Sequence, residues 1–143
     1  MTVDYKEVWA PGKDGVDHHI GTVTVPIRTV SEANTRGHWA AKARRAKEHR
    51  TTCRLVCGAP LAKYRTGLRD GHVRRLNIRL TRVAPRTLDD DNLHSALKSA
   101  RDGVADALGL TDDSDVRVAW VYAQVKRPMT YAVEVTAWSE VPR

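Results

Sequence analysis

Cysteine is scarce in this chain, acidic residues are sparse across one long stretch, and no extended hydrophobic run occurs anywhere. Each shortage excludes something. Two cysteines, Cys53 and Cys57, are too few for a disulfide framework. They lie four residues apart, which fits neither a CxxC pair nor a four-ligand zinc site. Near His49 they invite a metal reading, but two buried thiols on one helix face is the expected state. The longest hydrophobic run, Val118 to Ala123, is far short of the roughly 20 residues of a membrane span, so no membrane helix is expected. The first residues carry Asp4, Glu7 and Asp14 and no apolar core of a signal peptide. The expectation is a cytoplasmic protein. No repeat, linker or low-complexity tract divides the 143 residues, and a chain of this length buries roughly two-thirds of its unfolded surface in one core. One domain, residues 1–143, is expected.

The sparse acid in one region is matched by abundant base. Residues 31–86 hold 15 Lys and Arg against 3 Asp and Glu, whereas residues 87–115 hold 2 against 8. A basic half therefore abuts an acidic knot. Concentrated positive surface points to a polyanion, because each Lys or Arg set against a phosphate releases condensed counterions. The acidic knot would repel the same phosphates unless a divalent cation bridged them.

Periodicity gives the elements. Residues 1–17, with Pro11, Gly12 and Gly15, read as an irregular lead-in. His18 to Ile27 alternates at period two and predicts a strand, with Pro26 at its end. Residues 31–57 predict a helix in which Trp39, Ala43, Ala46, Cys53 and Cys57 form the packed stripe and Lys47, Arg50 and Arg54 lie on another face. A loop is expected from Gly58 through Gly71. Residues 73–83 predict a half-buried strand, with Leu76, Ile78 and Leu80 alternating against Arg75, Asn77 and Arg79. Residues 92–108 predict a helix stopped by Gly109. Val116 to Val125 and Tyr131 to Trp138 predict an antiparallel hairpin across Lys126-Arg-Pro-Met-Thr130. The fold expected is α+β: a small mixed β-sheet of about four strands with helices packed against it.

The chemistry lies in residues 88–116, LDDDNLHSALKSARDGVADALGLTDDSDV. If Asp89 to Asp91 is extended, Asp89 and Asp91 point to one side. Lys98 follows Asp91 by two helical turns and stays near the same face, with Asp102 one turn further. The chain then returns through Asp112, Asp113 and Asp115. Hard cations such as Mg²⁺ take oxygen ligands, commonly one or two carboxylates with substrate phosphate. Such an ion can activate water against a phosphodiester while a lysine adds fixed positive charge. The plainer alternatives are a helix N-cap at Asp91, an i, i+4 ion pair between Lys98 and Asp102, and an Asp-rich turn at 111–115.

Asp89, Asp91 and Asn92 as D-x-D-N, Lys98 and Asp102 as K-x-x-x-D, and Asp112 and Asp113 as D-D before a β-rich run resemble the RusA family of Holliday-junction resolvases, over roughly residues 73–138. The resemblance implies a homodimeric, Mg²⁺-dependent endonuclease, with Mn²⁺ as an alternative metal, that cuts opposed strands of a four-way DNA junction in recombination and repair. It places metal-ligand roles on Asp89, Asp91 and Asp113 and the essential lysine on Lys98, and implies no small-molecule cofactor. Three extra residues separate Asn92 from Lys98 relative to the family's D-N-x-x-K, and Ser95 occupies the unshifted position. Upstream, Ser31 and Asn34 match a family turn whose prolines are missing, which makes Asn34 a DNA-contact candidate. Lys47, Arg50, Arg54, Arg75 and Arg79 are the expected backbone-tracking cations. The alternative from another class is a non-catalytic DNA-binding module whose aspartates are caps and turns.

Overall fold

The computed structural model describes residues 4–11, 17–31 and 37–141. Its elements run in the order β1 (Asp4–Pro11), β2 (Asp17–Val25), α1 (Trp39–Gly58), α2 (Ala62–Asp70), β3 (Leu76–Ala84), α3 (Asp90–Ala107), β4 (Val118–Lys126) and β5 (Ala132–Val141). The strands form one mixed sheet in the order β1-β2-β5-β3-β4. β3 and β4 are parallel and α3 connects them, while the other pairings are antiparallel. The α+β class is therefore as expected.

One face of the sheet builds the core. Val23 and Val25 of β2, Val133, Val135 and Ala137 of β5, and Leu76, Ile78 and Leu80 of β3 are all inaccessible to solvent. Their cross-strand register, Val23 opposite Val135 and Val135 opposite Leu80, puts them on the same side. Against them lie Cys53, Val56 and Cys57 from the last turns of α1, Leu61, Tyr64 and Leu68 around α2, and Leu93, Leu97, Ala100 and Val104 of α3.

Five features depart from the sequence reading. Residues 4–11, expected to be irregular, form β1 and pair with β2 along their whole length, so the sheet has five strands. The first helix begins at Trp39, where the His38 ring nitrogen Nδ1 accepts from the Ala40 backbone N–H. Its first half buries nothing, and Trp39 is 74% exposed, not a core residue. The stretch expected as a loop contains α2, whose Leu61, Tyr64 and Leu68 follow the three-and-seven spacing of a helix face. Gly71 closes it at φ 80°, the left-handed cap that glycine adopts without strain.

The fifth departure is the hairpin. β4 and β5 do not pair, because β3 lies between them. Seven of the nine β3 residues are buried, with Thr81 and Val83 covered on the face opposite the helices as well. Such a strand belongs inside a sheet. β4 leaves Val121 and Val125 exposed and takes the edge. The link 127–131 needs to cross only two strand spacings, about 10 Å, well within the reach of five residues.

Candidate functional site

α3 starts where β3 runs out. After Pro85 the chain turns, and the Gln124 side chain of β4 clamps Leu88 from both sides. It accepts from the Leu88 N–H at 2.9 Å and donates to the Leu88 carbonyl at 2.7 Å. That fixes Asp89 as the N-cap, its Oδ1 accepting from the Asn92 N–H at 2.9 Å. The cap is therefore Asp89, not Asp91. Asp90 and Asp91 already belong to the helix, where their charge complements the N-terminal dipole. The extended run that would have aligned Asp89 with Asp91 is absent.

Further along α3, charges converge on Asp113. Lys98 Nζ lies 2.9 Å from Asp102 Oδ1 and 2.6 Å from Asp113 Oδ2. Arg101 Nε lies 2.9 Å from the same Asp113 oxygen, and Arg101 Nη2 donates to the Asp113 carbonyl at 3.0 Å. The Trp120 indole N–H donates to that carbonyl too, at 3.1 Å. The Lys98 hydrogen bond holds the Asp113 carboxyl below the usual carboxylate range, against the opposing effect of burial. Asp113 in turn raises the Lys98 ammonium.

β4 forms the wall behind this cluster. Trp120, Tyr122 and Gln124 share one face at period two, in register with Ile78, Leu80 and Arg82 of β3. The Arg101 guanidinium lies 4.8 Å from the Trp120 ring centre and donates to the Tyr122 hydroxyl at 2.6 Å. His94 stacks on Tyr122 at 4.3 Å. Trp120 and Tyr122 thus clamp Arg101 beneath Asp113. The sequence reading missed Arg101, Trp120, Tyr122 and Gln124 as site residues. Their signal was the alternation of long polar-tipped side chains in β4, at the positions where α3 docks.

The loop 111–115 is held locally. Asp112 Oδ1 accepts from the Ser114 backbone N–H at 2.8 Å and from the Ser114 hydroxyl. Asp115 pairs with Arg117 at 2.8 Å, which pulls its carboxyl down to about 2. These contacts make an Asp-rich turn of the expected local kind.

The three aspartates assigned as metal ligands are not gathered. Asp113 meets Lys98 and Arg101, which lie two to three turns along α3 from Asp91. Among the described residues no group of three His, Cys, Asp or Glu side chains is placed to hold a metal. Cys53 and Cys57 are free and fully buried, as expected. Burial pushes the Cys57 thiol up to about 12 and Cys53 higher still.

The expected cations divide. Lys47 and Arg54 are exposed on α1, but Arg50 is committed to Asp106 of α3 through two contacts, at 2.7 and 2.9 Å. Arg75 is exposed just before β3, and Arg79 is exposed on the sheet face opposite the helices. The helix cations and Arg79 therefore belong to different sides of the molecule. Asn34 lies outside the described residues.

No family model and no curated protein matches the chain. Among solved structures it is similar to the protein Atu1372 of unknown function from Agrobacterium tumefaciens, at 19% identity over 86% of this chain and 77% of that one, with a TM-score of 0.42. It is similar to the OmpA-like domain of FopA1 from Francisella tularensis subsp. tularensis SCHU S4, at 13% identity over 97% and 83%, with a TM-score of 0.41. A 2C-methyl-D-erythritol-2,4-cyclodiphosphate synthase follows at 19% identity over 52% and 47%, with a TM-score of 0.29. Likenesses this weak carry no argument about function. No helix among the described residues is long and apolar enough to cross a membrane.

Proposed function

We propose that the chain is an endodeoxyribonuclease acting on branched DNA, in the manner of the RusA family it resembles. The observation that carries this reading is the meeting of Lys98 with Asp113. The two residues the motif marks as functional, fifteen positions apart, are joined at 2.6 Å on one exposed edge of α3. α1, with Lys47 and Arg54 exposed, packs alongside at Gly103, whose missing side chain lets the Arg50 backbone approach. A nuclease needs such a neighbourhood, because charge developing on a cleaved phosphodiester must be met by fixed positive groups. Here the exposed Lys98 supplies one, and Asp113, anchored from beneath by Arg101, fixes where it sits.

The Mg²⁺ requirement in this proposal, with Mn²⁺ as a substitute, rests on the resemblance and not on the carboxylate geometry. A homodimer is part of the same proposal, since cutting two opposed strands calls for two symmetric sites. Sedimentation at micromolar concentration with and without junction DNA tests that part: monomers in both conditions count against it.

One observation favours a second reading, a DNA-binding module without catalysis. Asp89 is engaged as a cap and Asp113 as an anchor for Lys98 and Arg101, so both have structural work without any metal. Cleavage of a four-way junction under Mg²⁺, compared with EDTA and with the Asp91→Asn variant, separates the two. Metal-dependent paired nicks, lost in the variant, support the nuclease. Binding without cleavage supports the module.

A further inference from the structure

Arg82 breaks the pattern of its strand. On the helix-facing side of β3, Leu76, Ile78 and Leu80 are followed by an arginine at the next position of the same face. Its neighbours across the sheet are Val133 of β5 and Gln124 of β4. Only 6% of Arg82 is exposed. A guanidinium carries five donors and one positive charge. Here Nε donates to the Thr29 hydroxyl at 2.9 Å and Nη1 to the Arg86 carbonyl at 2.6 Å. Both acceptors are neutral, and no described carboxylate pairs with it. Burial works against its charge and lowers its pKa. Buried charges are ordinarily paired or bound to an ion, and among the described residues this one has no charged partner.

The space beside it supplies room for that partner. A cleft of about 290 Å³ is lined by Arg82, Thr29 and Leu88 with Arg28, Arg86 and Tyr131, near the lower size limit of about 300 Å³ for small-ligand sites. Arg28 is held at its mouth, its guanidinium 4.3 Å from the Tyr131 ring centre. Three arginines thus line one cleft, and no carboxylate among the described residues lines it. Arginine is the residue suited to phosphate, through its planar fork of donors.

We infer that this cleft is a phosphate subsite, with Arg82 as its buried charge and Arg28 and Arg86 at its mouth, and that the phosphate belongs to a nucleic-acid strand. The choice of strand over free phosphate rests on the nuclease reading above. The subsite's place fits that choice: Leu88, on its wall, immediately precedes the Asp89 cap of α3. A strand anchored there would be led toward the α3 edge that carries Lys98.

The test uses the full chain in EDTA, where no metal-dependent cutting occurs. Binding of hexathymidylate and of inorganic phosphate is measured for the wild type, Arg82→Met and Arg69→Gln, the last removing an exposed charge on α2 as a control. The expected result is that Arg82→Met weakens hexathymidylate binding at least tenfold. The slope of log K against log salt should also fall by about 0.7, one single-strand phosphate contact. Arg69→Gln should change neither. Arg82→Met should melt at or above the wild-type temperature, because removing an unpaired buried charge relieves its desolvation; a merely structural arginine would show the reverse. Should Arg82→Met not fold, Arg28→Gln combined with Arg86→Gln, both exposed, carries the same expectation.

Hexathymidylate binding unchanged in these variants overturns the proposal. Arg82-dependent binding of inorganic phosphate without any binding of hexathymidylate overturns the assignment to a nucleic-acid strand. The two readings fail separately. A junction left uncut while Arg82-dependent hexathymidylate binding persists removes the nuclease and keeps the subsite. A junction cut at the wild-type rate by Arg82→Met removes the subsite alone.

Discussion

Lys98 Nζ and Asp113 Oδ2 lie 2.6 Å apart, yet Asp113 does not depend on Lys98 for its position. Arg101, clamped by Trp120 and Tyr122, donates to the Asp113 backbone carbonyl and lies within ion-pair distance of the same carboxylate oxygen. Removing the lysine therefore leaves the loop anchored. Lys98→Met should change folding stability by less than about 1 kcal/mol, the scale of an exposed ion pair, and should abolish junction cleavage. Urea unfolding alongside a cleavage assay checks both halves. A large loss of stability would mean that Lys98 is a structural residue.

Asp89 and Asp91 should separate under substitution. Asp89→Ala removes the N-cap bond to Asn92 and should cost about 1 kcal/mol, a fall of roughly 2–4 °C in Tm. Asp91→Ala, which removes an exposed charge from the first turn of α3 and leaves the Asp89 cap intact, should cost about 0.5 kcal/mol through the helix dipole. Thermal melts of the two variants decide the matter. Equal losses would contradict the placement of the cap.

At Gly103 the backbone of α3 closely approaches that of α1. A Cβ there would strike the Arg50 carbonyl oxygen and come within 2.7 Å of the Cys53 Cβ. The first obstacle is backbone, so the helices must part. Gly103→Ala should destabilise by about 1–3 kcal/mol despite the better helix propensity of alanine, and should loosen the Arg50–Asp106 contact beside it. Denaturant unfolding tests the sign, and a stabilised variant would refute the close contact.

Acid should unfold the protein through the carboxylates of the α3 region. Arg50 holds Asp106, Lys98 holds Asp113 and Arg117 holds Asp115 below the ordinary range, Asp115 at about 2. A depressed folded-state pKa gives stability that is present above the unfolded value, about 3.9, and is lost as pH falls through the folded one. Stability should thus be flat above about pH 5 and decline between about pH 4 and 2. Asp115→Asn should flatten that decline. Urea midpoints measured from pH 7 to pH 2.5 show whether it does.

Much of the fold was legible because its pattern is local. The Leu76, Ile78, Leu80 alternation of β3 and the three-and-four spacing of Leu93, Leu97, Ala100 and Val104 in α3 both appear where periodicity put them. What failed depended on partners distant in sequence. β4 and β5 each read as strands, but only the two-sided burial of β3 shows that it lies between them. Trp39 fell on an apolar stripe of which only Cys53 and Cys57, at the far end of α1, are buried.

The site divides in the same way. Lys98 and Asp102 meet as their i, i+4 spacing predicts, and the return loop after α3 adds Asp113 to them. The pairing of Asp89 with Asp91 assumed extended chain, and the cap took Asp89 into the helix start instead. Arg82 stood in plain sight as an arginine on an apolar face, but its burial depends on Thr29 and Arg86 folding over it.

The most direct test of the account is an end-labelled four-way junction and a matched linear duplex incubated with the protein, in Mg²⁺ and in EDTA, beside Lys98→Met. The account predicts paired, symmetric nicks on the junction alone, dependent on metal and absent in the variant. Tight junction binding with no cleavage under Mg²⁺ or Mn²⁺ would contradict it and leave a DNA-binding module whose aspartates serve the fold.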